Sequence, residues 1–165
     1  MKTVNTTKST AVWTGKKFGG SHTGTIQLQE GNLDYTDDKI SGGFFKMNMD
    51  SLHVTDLEGE MKGKLEGHLK SDDFFSTATH PTANLVITSI SKDNKGIYQA
   101  TGDLTIKGIT NPINFQLLEE GDKLISTLII DRSKYDVKYG SKSFFKGLGD
   151  NFIHDNFEVV VTLEF

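Results

Sequence analysis

The histidines at positions 22, 53, 68, 80 and 154 are the residues of this chain best suited to proton transfer or metal binding, yet none is spaced as a ligand set. His68 and Asp72, four apart, would share one helix face and form the only pair suggestive of a mono- or dinuclear metal site. A helical histidine beside an apolar stripe is more often a packed, hydrogen-bonded residue. Asp56, Asp72 and Asp73 offer carboxylates for general acid–base work, but their positions suit helix termini and nothing places an opposed group across a cleft. No nucleophile elbow, phosphate-cradling glycine loop or dinucleotide fingerprint occurs, and the absence of cysteine removes thiolate ligands and nucleophiles. Asp131-Arg132, with Tyr135 and Asp136, is the one compact charged and aromatic group. Its simplest reading is an Arg–carboxylate pair closing the end of a barrel; the alternative is a head-group contact through Arg132 and Tyr135, since a guanidinium fork also suits phosphate. No catalytic residue and no metal ligand is assigned, and the expectation is a protein that is not an enzyme.

Composition narrows the partners. The 165 residues fit one domain, 1–165, and a chain of this length buries enough surface to fold without disulfides. A formal net charge of -4 without a basic cluster argues against a nucleic-acid backbone reader. The start, MKTVNTTKSTAVW, lacks the apolar core of a secretory signal, and no window approaches the roughly 18 apolar residues of a spanning helix. As written the chain is expected to be soluble and cytoplasmic, or periplasmic if Met1 is not the natural start and an upstream signal has been removed.

Most elements that would position a site are strands. Seventeen glycines, two prolines and abundant Thr and Ser fit short strands joined by tight turns. Strands are predicted over Val4 to Lys17, with Ala11 and Trp13 on one face, and over His22 to Glu30, closed by a hairpin at Gly31-Asn32 before Leu33 to Thr36. Lys39 to Leu52 sets Phe45, Met47 and Met49 on one face, suited either to an irregular core, the commoner case, or to a flexible apolar guest. Ala83 to Ser91 aligns Leu85 and Ile87. Ile97 to Lys107 aligns Leu104 and Ile106, and after a turn at Thr110-Asn111-Pro112 the face continues through Phe115 and Leu117. In Lys123 to Asp131, Leu124, Leu128 and Ile130 alternate while Ile125 and Ile129 make the opposite face apolar. That pattern implies a subunit interface or a helix packed outside the sheet. Asn156 to Phe165 alternates most clearly and is a closing strand able to pair with the first. The exception to period two is Leu57, Met61, Leu65 and Leu69, every fourth residue, an amphipathic helix with Asp56 as N-cap, Glu58 and Glu60 in the first turn and its end at Ser71-Asp72-Asp73. Between the last two strands, Tyr139 to Asp155 is a long loop whose Phe144 and Phe145 form a candidate lid over an apolar opening.

Three segments carry a resemblance: HLKSDDFFSTATHP (His68 to Pro81), GDLTIKGITNPI (Gly102 to Ile113) and IDRSKYDVKYGS (Ile130 to Ser141), with the early Trp13 and His22-Thr23-Gly24. In this order they resemble the polyisoprenoid-binding, YceI-like family over nearly the whole chain. The resemblance implies an all-β fold with one main helix: an extended lipocalin-like antiparallel β-barrel of about eight strands, the helix packed at it, enclosing an apolar pore. It implies a non-catalytic carrier of a long-chain isoprenoid or similar amphiphile, with an isoprenoid quinone among the candidates, and a homodimer. No cofactor is expected beyond that lipid. The inward apolar faces then become the ligand-binding candidates: Phe45, Met47, Met49, Leu65, Leu69, Leu85, Ile87, Leu104, Ile106, Phe115, Leu117, Leu128 and Ile130. The competing class is an enzyme acting on a lipid-like substrate in the same barrel, with His68, Arg132 or Tyr135 as polar participants.

Overall fold

A computed structural model describes residues 1–165, Asp150 by its backbone alone. Ten elements of regular structure follow in chain order: β1 (Lys2–Thr3), β2 (Thr10–Lys17), β3 (Gly20–Thr36), β4 (Lys39–Val54), α1 (Gly59–Lys70), β5 (Thr82–Lys92), β6 (Tyr98–Ile106), β7 (Ile109–Glu120), β8 (Lys123–Asp131) and β9 (Ile153–Leu163), with short 3-10 turns at Arg132–Tyr135 and Gly149–Asn151. Strands β2 to β9 pair antiparallel with their chain neighbours, except that β4 passes to β5 across α1 and β9 returns to β2. The β2–β9 ladder closes an eight-stranded barrel with one helix, so the sheet keeps no long open edge.

Strand β3 is continuous where the sequence suggested a hairpin at Gly31-Asn32. Gly31 pairs with Phe45 and Asn32 with Phe44, and a Cβ on Gly31 would meet the Phe45 ring at 3.0 Å, so this glycine makes room rather than a turn. The reversal comes at Asp37-Asp38, both at positive φ (51° and 61°), as a two-residue hairpin needs. The turn expected at Thr110-Asn111-Pro112 likewise lies earlier, at Lys107-Gly108 (φ 56° and 76°), and Pro112 sits inside β7. It is tolerated there because β7 and β8 pair only from Leu118↔Ile125 to Glu120↔Lys123 and then splay, leaving no neighbour that needs the missing N–H. The segment after β8 fills the gap: Asn111 Nδ2 donates to Lys134 O and Lys107 Nζ to Asp136 O, both at 2.9 Å.

The first predicted strand is interrupted. Asn5 Oδ1 accepts from the backbone N–H groups of Thr7 and Lys8, a turn that the alternation of Val4 to Lys17 conceals. Val4 is buried in the same core cluster as Leu33, Tyr98 and Leu163. The expected final strand starts earlier, at Ile153, which shortens the preceding loop.

Helix α1 differs most from its sequence reading. It begins at Gly59, with Glu58 at the N-cap and no side-chain cap bond; Asp56, expected to cap it, instead accepts from His22 Nδ1 at 2.9 Å. Leu57 precedes the helix and Met61 is 66% exposed, so only Leu65 and Leu69 of the four-residue stripe face the barrel from within the helix. The end at Ser71 agrees: Ser71 Oγ donates to His68 O at 2.6 Å. The helix rests on β4, away from β8, so the second apolar face of β8 is not explained by helix packing and Ile129 stays 54% exposed.

Candidate functional site: a cavity inside the barrel

Inward side chains alternate along every strand, and they do not fill the barrel. A cavity of about 420 Å³ remains, walled by strands β2 to β9 and by Leu65, His68 and Leu69 of α1. Its size falls within the roughly 300–1,000 Å³ of small-molecule sites. Twelve of the thirteen proposed ligand-binding residues border it, and Ile87 does not. Ile87 points inward further along β5, where Gly43 opposite it lets the sheet close up: a Cβ on Gly43 would come within 3.2 Å of Ile87 Cδ1.

Trp13 sets the wall beneath the helix. Its indole Nε1 donates to Thr25 O at 3.2 Å, and the ring lies across Gly24, where a Cβ would come within 2.4 Å of the ring and 1.7 Å of His53 O. Leu52 and Val54 pack with Trp13, and Leu57, Leu65, Leu69 and Phe75 cover the group. Glu66 pins the helix there: its Oε1 accepts from Val54 N–H at 2.9 Å and from His53 Nδ1 at 3.2 Å. The Val54 N–H holds the Glu66 carboxyl below its ordinary range, against partial burial and with help from His53 and Lys62. Burial pushes Asp56 upward, but the His22 hydrogen bond and neighbouring backbone N–H groups outweigh it and leave this carboxyl lowered as well.

The polar candidates lie differently from the expectation. Arg132 borders the cavity, but its partners are backbone carbonyls rather than a carboxylate: Nε donates to His154 O (3.1 Å), Nη1 to Val137 O (2.8 Å) and Nη2 to Ile153 O (3.0 Å). Burial lowers its pKa, opposed by Asp155 and Asp131. Those bonds fasten the chain after β8 to the start of β9, which gives the guanidinium a structural task. Tyr135, the other candidate head-group contact, is buried in the core off the cavity wall. Phe144 and Phe145, the candidate lid, are 44% and 48% exposed and do not border the cavity; Ser141 accepts both of their backbone N–H groups, and Lys138 covers the Phe144 ring. His68 stands edge-on between Tyr139 (4.4 Å) and Phe74 (5.0 Å), while Asp72 accepts from Ser76 Oγ, so this pair does not converge on a common point.

Sequence reasoning missed several parts of the wall, Trp13, Ile26, Leu28, Leu52 and Phe74 among them. Phe157, Val159, Val161 and Leu163 of β9 also line it, and their alternation marks a closing strand without distinguishing cavity wall from packed core. The rim of Gly15, Lys16, Lys17, His22 and His154 had no signal, because these residues meet only after the barrel closes.

A family model described as the YceI-like domain matches residues 3–165. A UPF0312 protein of Shewanella denitrificans is 31% identical over 93 residues, 56% of this chain and 47% of the relative. Protein YceI of Escherichia coli O157:H7 is 42% identical over 90 residues, 53% of this chain and 46% of the relative. The matched regions thus span about half the length of these curated relatives. Among solved structures, Burkholderia cenocepacia BcnA superposes with a TM-score of 0.75 at 21% identity, covering 97% of this chain and 98% of that one. A polyisoprenoid binding domain from Saccharophagus degradans superposes at 0.67 and 14% identity, covering 98% and 95%. At these identities the likeness is one of fold.

Proposed function

Because this chain belongs to the YceI-like family, we propose that its barrel binds and carries a long-chain isoprenoid or similar amphiphilic lipid, an isoprenoid quinone among them, without chemically altering it. The observation that carries this reading is the cavity itself: an internal space walled almost wholly by aliphatic and aromatic side chains in a barrel that could have been filled. Each methylene-sized group moved from water into such a space gains about 0.8 kcal/mol, offset by the ordering of the tail, so a chain of several isoprene units binds tightly without a covalent step. The Saccharophagus degradans domain of the same fold, described as polyisoprenoid binding, supports the ligand class.

The lining favours carriage over turnover. Among the described residues its one serine, Ser126, has no hydrogen-bond partner on Oγ, and Arg132 is engaged with backbone carbonyls. No helix among the described residues is long and apolar enough to cross a membrane.

The test is extraction of the purified protein into organic solvent followed by mass spectrometry, with uptake of polyprenyl alcohol and quinone by the stripped protein. Recovery of an isoprenoid or a similar amphiphile, and saturable uptake, are expected. A consistently empty protein that takes up neither ligand sinks the proposal.

A further inference from the structure

The exposed aromatic side chains gather at one end of the barrel. Among the described residues Phe18, Tyr139, Phe144, Phe145 and Phe165 are the exposed aromatics, and the first four lie on two segments, the β2–β3 hairpin and the connection from β8 to β9. Antiparallel pairing puts both segments at the same end, and contacts join them: Phe18 N–H donates to Phe152 O at 3.4 Å, the two rings are 6.0 Å apart, and Lys142 Nζ lies 3.9 Å from the centre of the Phe152 ring. The cavity opens here, since the exposed residues among those lining it are Lys16, Lys17 and Tyr139.

Charge divides between the ends in the same way. The hairpins at 36–39, 92–98 and 119–123, at the far end, hold six acids against four lysines. The two aromatic-bearing segments, 15–20 and 137–149, hold five lysines and no acid in a chain of net charge -4. Lys138 pairs with Asp136 at 3.0 Å, and Asp155 accepts from Ser141 and Ser143. The other acids of this end belong to the helical connection, where His22 holds Asp56, Val54 N–H holds Glu66, Ser76 holds Asp72 and Lys64 pairs with Glu60, leaving Glu58 and Asp73. Exposed apolar groups set among lysines suit the headgroup layer of an anionic bilayer.

We propose that this end of the barrel is a membrane-docking surface, with Phe18, Phe144 and Phe145 entering the headgroup layer while the lysines of the same segments meet anionic lipids. A second copy seated here would set like charges together, and an acidic protein would cover the opening, whereas a bilayer satisfies rings and lysines at once. The surface stands on exposure and charge; its use, to bring the cavity mouth to the source of an apolar cargo, rests on the lipid-carrier reading above.

The experiment is flotation with vesicles of phosphatidylcholine, with and without phosphatidylglycerol, at low and high salt. A lysine near an anionic surface raises binding about fivefold, so the unaltered protein is expected to bind the anionic vesicles at least about tenfold tighter, and added salt shrinks the difference. F18S/F144S/F145S is expected to bind them about tenfold more weakly while keeping its melting curve and its affinity for dispersed geranylgeraniol, because none of the three residues lines the cavity. K142Q/K146Q is expected to lose most of the preference for phosphatidylglycerol. Unaltered protein that ignores both vesicles, or a triple variant that binds as well as the parent, overturns the proposal. So does a dimer that the triple variant dissociates without any vesicle binding, which assigns the patch to a second copy. If geranylgeraniol is not taken up, the carrier reading falls while flotation still decides the surface.

Discussion

Replacing Glu66 by alanine should release helix α1 from the barrel without unfolding the barrel. The helix buries no residue completely and contains Gly59, Gly63 and Gly67, so its own propensity is weak and docking must hold it. The principal polar tie is the Glu66 carboxylate on the N–H of Val54, a residue with no solvent exposure. Removing the acceptor strands that buried donor and deletes a charge-assisted bond, a cost of about 2 kcal/mol, or roughly thirtyfold in the helix opening equilibrium. Glu66→Gln keeps a neutral acceptor and should cost about 1 kcal/mol, roughly fivefold. Hydrogen exchange followed by mass spectrometry reads this directly: the peptide covering 59–70 should exchange faster by these factors while β6 and β9 keep their protection. The same bond predicts a pH dependence. Glu66 has a depressed folded pKa, so its contribution is complete above the ordinary glutamate value near 4.3 and is lost as pH falls through the lower folded value. Asp56, lowered alongside His22, titrates in the same direction, so acidification should loosen α1 in the unaltered protein and much less in the alanine variant. Unchanged exchange in 59–70 for Glu66→Ala, or strands that exchange as fast as the helix, would refute the reasoning.

Further perturbations separate wall, fastening and surface. Gly24→Ala places a methyl against the Trp13 ring and the His53 carbonyl and should cost about 3 kcal/mol or more, visible as a lowered melting temperature. Gly15→Leu meets no neighbour at its Cβ, so the apo melting temperature should hold. The added side chain displaces roughly two methylene-sized groups of tail at about 0.8 kcal/mol each, and lipid affinity should drop about tenfold in an uptake assay. Arg132→Met frees the carbonyls of Val137, Ile153 and His154 and should destabilise by about 3 kcal/mol in urea titration, with faster proteolysis of the segment between β8 and β9. Ile129 shares an outward face with Ile125, Val12 and Val160; if that face joins two copies, sedimentation gives twice the chain mass and Ile129→Lys returns it to one, whereas a monomer in both cases removes the homodimer expectation.

The fold was legible where one face is buried and the other wet. Phe45, Met47 and Met49, or Ala100, Leu104 and Ile106, alternate because their strands are one-sided, and period two reports that directly. Turn positions were less legible because glycine serves two purposes. Gly31 and Gly24 sit inside a strand to admit Phe45 and Trp13, whereas the actual reversals use Asp37-Asp38 and Lys107-Gly108, whose positive φ leaves a weaker mark in composition. The helix was recognised by its period but not by its ends, since Asp56 found a partner in His22, 34 residues away, and no local rule anticipates that competition.

The site shows where such reasoning stops. Leu85 and Ile87 are two residues apart on the same face of β5, chemically alike and equally inward by pattern, yet Leu85 borders the cavity and Ile87 belongs to packed core. What separates them is not their own type but Gly43 across the ladder from Ile87, which lets the sheet close, together with the splaying of β7 from β8 beyond Leu118↔Ile125, next to the cavity-lining Ser126. A hollow is a property of several strands at once, so alternation within one strand cannot report it. The same holds for the rim. Lys16 and Lys17 read as ordinary solvated charges on the end of a strand, and they border the cavity only because closure of β2 against β9 brings that end of the strand beside it.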